Sequence, residues 1–246
     1  MKLRKGRVDV PGVFRSPIDD MAAGGADLGI SLNPTPVVEL HCGRGHPVVS
    51  MLEWAFSSDP AVVADRARLF VRAHRRHGIA TTLKHLPGHG SALRDSHGGL
   101  PDVSEVWVEA ELRPFAGLIR SAHADSVMLA HLVHPRLSDG SRRPTSLSAT
   151  AVDTLRLQLG FDGPILTDAL DMEAITGEFS VEEAAVEAIM SGVDVVIVAA
   201  DRNPRPTAAS ELHAALIDAF EAGRLDNAGI AASCRRIASW RAALAQ

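Results

Sequence analysis

The sequence predicts an α/β fold of the (β/α)8 TIM-barrel type, incomplete, with about five or six parallel strands present. Three observations predict it. Short apolar runs alternate with longer amphipathic stretches, as in buried parallel strands wrapped by helices. Polar residues recur at the C-terminal ends of successive runs, at Glu39, Lys84 with His85, His131 and Asp168. In a barrel those ends converge on one mouth, where active sites are built. No G-x-G-x-x-G follows the first run, so the dinucleotide fingerprint of a doubly wound sheet is missing.

The elements follow in order. Strands are expected at Pro36–Leu40, Ile79–His85, Ser126–His131, Gly163–Asp168 and Asp194–Ala199, each rich in Val, Ile or Leu and bounded by Gly, Pro or Asp. A sixth requires Val8–Val10 or Gly12–Phe14 to pair. Helices are expected at Pro60–His77, Val103–Ala122, Ser148–Leu159 and Val181–Ser191, then at about Thr207–Ala222 and Asn227–Leu244, split by Gly223. Ser148 and Ser180 read as N-caps, and Gly78, Gly160 and Gly192 fall where helices should stop. A closed barrel needs eight strands, so about three βα units are expected to be absent. Residues 1–20 form an unassigned segment and 21–246 a partial barrel domain.

Composition narrows the function classes. The chain has 246 residues, 46% hydrophobic and 22% charged, which suits a globular domain with a substantial core. A net charge of -5 offers no basic field for nucleic acid, and aromatics at 4%, with no Tyr, offer no base-stacking surface. Cys42 and Cys234 are too few for a disulfide framework and are expected to be free, buried or half-buried thiols. The cationic N-terminus has no apolar segment behind it, and no run reaches membrane-spanning length. The expectation is a cytoplasmic chain without membrane partners.

The chemistry concentrates in Lys84-His85-Leu86-Pro87-Gly88-His89-Gly90-Ser91-Ala92-Leu93-Arg94-Asp95-Ser96-His97. An amine, three imidazoles and a carboxylate share one strand-end loop in a chain that otherwise has only Lys2 and Lys5. His97 is the best proton carrier, since an unperturbed imidazole suits both giving and taking a proton near neutrality. Asp95 can bond one of its ring nitrogens and stabilise the imidazolium. Gly88, Gly90, Gly98 and Gly99 bracket that pair and suggest a loop that closes. Asp168 falls where a buried strand gives way to a loop, a position equally suited to a nucleophile or base and to an Asx turn or helix cap. His85, His89 and His97 as metal ligands rank lower. There is no H-E-x-x-H, and Pro87 prevents a helical spacing. No metal or cofactor is expected. Lys84 suits vicinal hydroxyls or a carboxylate.

These residues resemble family 3 glycoside hydrolases of the bacterial β-N-acetylhexosaminidase type. Lys84 to Gly90 resembles the family's K-H-F-P-G-H-G, and Asp95-Ser96-His97 its D-S-H segment. Thr167-Asp168-Ala169-Leu170-Asp171-Met172 resembles S-D-D-L-S-M, and Met128-Leu129-Ala130-His131 resembles M-P-A-H. Asn33 to Leu40 resembles N-F-A-P-V-V-D-V, Ala55 to Pro60 matches A-F-S-S-D-P, and the segments about Gly223 and Cys234 look like the closing helix. The match runs from about Ala22 to the end.

The resemblance implies that Asp168 is the nucleophile and that His97 with Asp95 is the acid/base. It implies that Lys84 and His85 hold ring hydroxyls, with Glu39 and His131 at the substrate site. It also implies an N-terminally truncated chain, since the family opens with three further strands and a D-Q-E-G-G-R segment that has no counterpart here. Trp54 stands where the family has a sugar-binding Arg, and Ala169 where it has a second Asp. An upstream start codon would supply the first three βα units. The activity implied is retaining hydrolysis of terminal β-linked N-acetylglucosamine from glycoconjugates or peptidoglycan fragments through a covalent glycosyl-Asp. One alternative is a catalytically impaired or inactive remnant, which a homo-oligomer covering the open barrel edge would stabilise. The others are a β-N-acetylglucosaminide phosphorylase and a β-glucosidase.

Overall fold

The computed structural model describes residues 11–41, 55–92, 96–199 and 204–244. Five parallel strands form one sheet in the order β1-β2-β3-β4-β5. They are β1 Leu32–Asn33, β2 Ala80–Leu86, β3 Ser126–Leu129, β4 Ile165–Ala169 and β5 Val195–Ile197. Each strand joins the edge left by the one before it, with Leu32 opposite Ala80, Leu83 opposite Val127, Met128 opposite Leu166 and Leu166 opposite Val195. A doubly wound sheet reverses its order at a switch point, and this one does not. The result is a curled half-barrel, an incomplete TIM-type architecture.

The α-helices among the described residues are α1 Pro11–Asp27, α2 Pro60–Arg76, α3 Arg113–Arg120, α4 Ala149–Asp153, α5 Glu173–Thr176, α6 Val181–Met190, α7 Ala208–Glu221 and α8 Asn227–Leu244. The amphipathic α2 starts on Asp59, whose carboxylate accepts from Ala61 N at 2.8 Å, with Pro60 in the first turn. Its apolar face (Val63, Ala67, Val71) is fully buried with Leu83, Val127 and Ile165 of the sheet and Phe115 and Leu118 of α3. Burial of each such large side chain contributes about 1.5–3 kcal/mol. Ser148 and Ser180 cap α4 and α6 as expected, accepting from Ala151 N at 3.3 Å and Glu183 N at 3.1 Å. Gly78 and Gly192 follow their helices with φ of 70° and 94°.

Two aspartates stitch the N-terminal ends of the strands. Asp125 accepts from Thr81 N (2.9 Å), Thr81 Oγ1 (2.7 Å) and Arg75 Nε (2.7 Å). Asp194 accepts from Ile165 N (2.8 Å), Arg156 (2.6 Å), Ser233 (2.7 Å) and Arg236 (2.9 Å), tying β4 to α8. Conserving the opposite, C-terminal ends for ligand chemistry is the division of labour a barrel imposes.

Several expectations need correction. The first strand is Leu32–Asn33, not Pro36–Leu40. Pro36 has no N–H for a ladder, and the segment after it runs beside β2 through a single bridge, Val37 to Lys84, with Val38 N donating to Lys84 O at 2.8 Å. Gly12–Phe14 is helical within α1, so it supplies no sixth strand; Val8–Val10 lies outside the described residues. Of Val103–Ala122 only Arg113–Arg120 is α-helix, preceded by one 3-10 turn at Glu109–Leu112. Pro114 sets the helix start. Val103 N instead donates to Val133 O at 3.0 Å, beyond the end of β3. The Ser148–Leu159 helix changes to a π turn at Thr154–Gln158. Cys234 is exposed on α8 rather than buried; Cys42 lies outside the described residues. Among the described residues no helix is long and apolar enough to cross a membrane.

Candidate active site

Parallel strands in sequential order bring their C-terminal ends together, and the expected polar residues come with them. Glu39 lies beside the end of β2, Lys84 and His85 are in β2, His131 follows β3, and Asp168 is in β4. The Lys84–His85 and Leu86–Pro87 peptides are cis.

Glu39, His85 and Asp168 form a row. His85 Nδ1 lies 2.8 Å from Glu39 Oε1, and its Nε2 lies 3.7 Å from Asp168 Oδ2. A carboxylate only accepts, so Nδ1 carries a proton toward Glu39. His85 N also donates to Glu39 Oε1, at 3.3 Å. The Glu39 side chain is 1% exposed, against 13% for His85 and 21% for Asp168, so Asp168 and His85 are the more accessible and Glu39 stands behind them.

Asp168 Oδ1 accepts from Ala169 N at 2.8 Å, which orients the carboxylate and leaves Oδ2 toward His85. Burial works against the Asp168 anion, but His85 and His131 outweigh it and hold the carboxyl below its ordinary range. Burial likewise opposes ionisation of Glu39, and the His85 ring beside it outweighs that, so this carboxyl is also lowered. For His85, burial favours the neutral ring, yet Glu39 and then Asp168 prevail and raise its pKa. The row is therefore two ionised carboxylates with a ring between them whose pKa they raise. Burial lowers the pKa of half-buried Lys84 against the pull of Asp168 and Glu39.

His131 is fully buried and has both ring nitrogens engaged. Nε2 lies 2.9 Å from Ala169 O and Nδ1 2.7 Å from Ser146 Oγ. The carbonyl only accepts, so Nε2 donates and Nδ1 takes the Ser146 hydroxyl proton. His131 thus ties the end of β3 to the residue after Asp168. His89 is buried, with neither ring nitrogen hydrogen-bonded among the described residues, and its ring centroid is 6.3 Å from that of His85.

Asp95 and Trp54 lie outside the described residues. For His97 the backbone is described: it sits in a 3-10 turn, Ser96–Gly98, that packs against α5, the short helix starting five residues after Asp168. The turn carrying His97 and the end of β4 therefore share one face of the molecule. Among the described residues no group of three or more His, Cys, Asp or Glu side chains is placed to hold a metal ion.

The sequence reading missed the residues that frame the loop between Pro87 and Ala92. Glu111, fully buried, accepts from Gly90 N at 3.1 Å. Trp107 Nε1 donates to Pro87 O at 3.2 Å, and its ring meets His134 edge-on at 4.4 Å. The two loop glycines are required by close approach. A Cβ at Gly90 would stand 2.2 Å from Leu40 O, and one at Gly88, where φ is 121°, 2.7 Å from Glu111. The loop glycines were visible in the sequence; their neighbours were not.

The buried histidines set an acid limit on stability. Burial lowers the pKa of His74, His89 and His131, and burial with Arg136 lowers His134 to about 4. The unfolded chain binds protons at these positions below about pH 6.5 and the folded chain does not. Stability therefore falls as pH drops from 6.5 toward the folded values, by about 1.4 kcal/mol for each unit withheld from one ring. His85 has the opposite sign: its contribution is full below pH about 6.5 and lost as pH rises through its folded pKa. With His123 lowered by burial as well, five rings against one predict a melting temperature several degrees lower at pH 5 than at pH 7, with the drop reduced in His134→Gln; a flat profile would contradict the burial argument.

Residues 18–240 match the model of the glycosyl hydrolase family 3 N-terminal domain. Beta-hexosaminidase A of Pseudoalteromonas piscicida is 34% identical over 235 residues, covering 89% of this chain and 39% of that protein. The beta-hexosaminidase of Xylella fastidiosa strain 9a5c is 40% identical over 174 residues, covering 69% of this chain and 50% of that protein. The chain thus spans half or less of the length of these two relatives. Among solved structures, a family 3 beta-N-acetylglucosaminidase from Paenibacillus sp. str. FPU-7 superimposes with a TM-score of 0.85 at 30% identity, over 95% of this chain and 44% of that one. The beta-N-acetylhexosaminidase from Beutenbergia cavernae gives 0.85 at 28% identity, over 94% and 69%.

Proposed function

Because the chain belongs to the glycosyl hydrolase family 3 N-terminal domain family, we propose that the strand-end row is the centre of a retaining glycosidase releasing terminal β-linked N-acetylglucosamine. The observation that carries this reading is Asp168 itself: an oriented carboxylate held below its ordinary pKa, 21% exposed, at the end of a barrel strand and beside the His85 ring. The choice of sugar is supported by the relatives, which are beta-hexosaminidases.

In the first step Asp168 Oδ2 attacks the anomeric carbon, the bond to the leaving oxygen breaks, and His97 gives that oxygen its proton. In the second step water adds at the same carbon, His97 takes the water proton, and the bond to Asp168 breaks. Two inversions give net retention. His97 enters the first step as the imidazolium and leaves it as the neutral imidazole that serves as base in the second, so it never sets a second anion beside ionised Asp168 as a carboxyl acid would. Asp95 orients His97. Lys84 and His85 hold ring hydroxyls. Glu39 and His131, expected at the sugar, act one layer back, Glu39 through His85 and His131 through the Ala169 carbonyl. Trp54 is assigned to the rim of the sugar site by resemblance. The partner is a carbohydrate, and the chain needs no metal for these steps.

The test is turnover of an aryl β-N-acetylglucosaminide, with the product anomer read by NMR and the intermediate trapped with a slow fluorinated substrate. The expected results are a β-configured product and a mass increment on the peptide containing Asp168. Turnover that requires inorganic phosphate would assign a phosphorylase instead, and preference for the glucoside a β-glucosidase. Absence of turnover would leave the non-catalytic reading, whose self-association sedimentation can measure.

A further inference from the structure

The segment that reads as the first half of a helix does something else. Between Val103 and Leu112 it sends two side chains back to the loop that leaves β2. Trp107 Nε1 donates to Pro87 O, and Glu111 Oε2 accepts from Gly90 N. Ser91 adds hydrogen bonds to the same Glu111 carboxyl group. The loop's first five residues are therefore gripped at both ends, at Pro87 and at Gly90–Ser91. The fit is close enough that Gly88 and Gly90 have no room for a Cβ. The gripping segment is itself fixed. Val103 N donates to Val133 O and Val133 N to Pro101 O, at 3.0 and 2.7 Å, and Trp107 packs with Ala92, Val103, Ala130 and Leu132. Asp95 and His97 lie four and six residues beyond Ser91 on the gripped loop. His89 sits inside it, packed edge-on toward His85.

Resting on the glycosidase reading, we infer that Glu111, assisted by Trp107, is a positioning residue for the acid/base loop: it fixes the β2 exit so that His97 reaches the leaving oxygen, without itself touching substrate. Burial raises the Glu111 pKa. A neutral carboxyl still accepts from Gly90 N, which is why an amide can replace it. This is a role separate from the Glu39–His85–Asp168 row, which acts at the sugar rather than at the leaving group.

The experiment compares kcat/KM for two aryl β-N-acetylglucosaminides, one with a dinitrophenyl leaving group that needs no proton and one with a poor leaving group that does. Loss of a well-placed general acid costs roughly 10²–10⁴-fold on the second substrate only. Glu111→Ala should lose about 30-fold more on the poor leaving group than on the activated one, a partial form of that loss. Glu111→Gln should stay within about threefold of the parent on both, because it keeps an oxygen for Gly90 N. Hydrogen exchange on the full chain provides a readout independent of turnover: in Glu111→Ala the amides of 87–99 should exchange faster while those of β2 to β5 do not. An equal loss on both substrates, or none, overturns the inference whatever the exchange shows. If the parent turns over neither glycoside, the glycosidase reading fails. Exchange then decides the clamp by itself, and unchanged protection of 87–99 overturns it.

Discussion

Asp168→Asn should reduce kcat/KM on an aryl β-N-acetylglucosaminide by on the order of 10⁴-fold, the scale of removing a covalent nucleophile. The substitution is nearly isosteric. Its amide oxygen can still accept from Ala169 N, so the end of β4 keeps its shape. What disappears is the anion assigned to attack carbon, together with one of the two carboxylates that raise the pKa of His85. The fold should survive, because Asp168 keeps 21% of its side-chain surface and the core beneath it (Leu166, Thr167, Leu170) is independently buried. Circular dichroism and the melting temperature should match those of the parent. Azide, a small anion able to enter the space vacated by charge, should restore part of the rate and yield the inverted glycosyl azide. Parent-like turnover in this variant would end the proposed mechanism.

The second large effect belongs to a residue set behind His85, with 1% of its side chain exposed. Glu39→Gln should move the alkaline limb of the kcat/KM profile about one pH unit toward acid, since loss of a neighbouring charge within hydrogen-bond reach shifts a pKa by about 1–3 units. The direction follows from His85. Its pKa is raised by Glu39 first and Asp168 second, so removing the Glu39 charge lowers it, and the ring deprotonates at a lower pH. The ring then gives up its proton at lower pH than in the parent, so activity should fall first on the alkaline side and recover as pH is lowered. Glu39→Ala adds a structural penalty of about 3–5 kcal/mol, because it leaves His85 without its partner in a buried pair. A profile that falls uniformly in Glu39→Gln, with no lateral movement, would show that Glu39 does not act through His85.

How much of this was legible beforehand depends on the range of the interaction involved. The strand ends were legible at β2, β3 and β4, because each lies at the end of a run whose composition already marks burial on both faces. The first strand was misplaced. Pro36–Leu40 has the right composition, but Pro36 lacks the N–H that pairing needs, and the ladder forms earlier at Leu32–Asn33. Glu39 was visible as a polar strand-end residue, yet its position behind His85 was not. That depends on Val37 meeting Lys84, a contact between segments 47 residues apart in sequence. Glu111 and Trp107 gave no sign at all. Their segment has helical periodicity, and what stops it becoming helix is its pairing with Val133 and the hold of Pro114 on the helix start.

Local chemistry alone determined which side chains this protein has for a reaction: one carboxylate at a strand terminus, a lysine and histidines on a glycine loop, and caps that start the helices on time. Those signals are written within a few residues of each other, so they need no fold to be read. Only the tertiary structure decided which of those groups is charged, which is reachable and which merely holds another in place. Burial, and the field of charges brought together from distant segments, are properties of the folded chain.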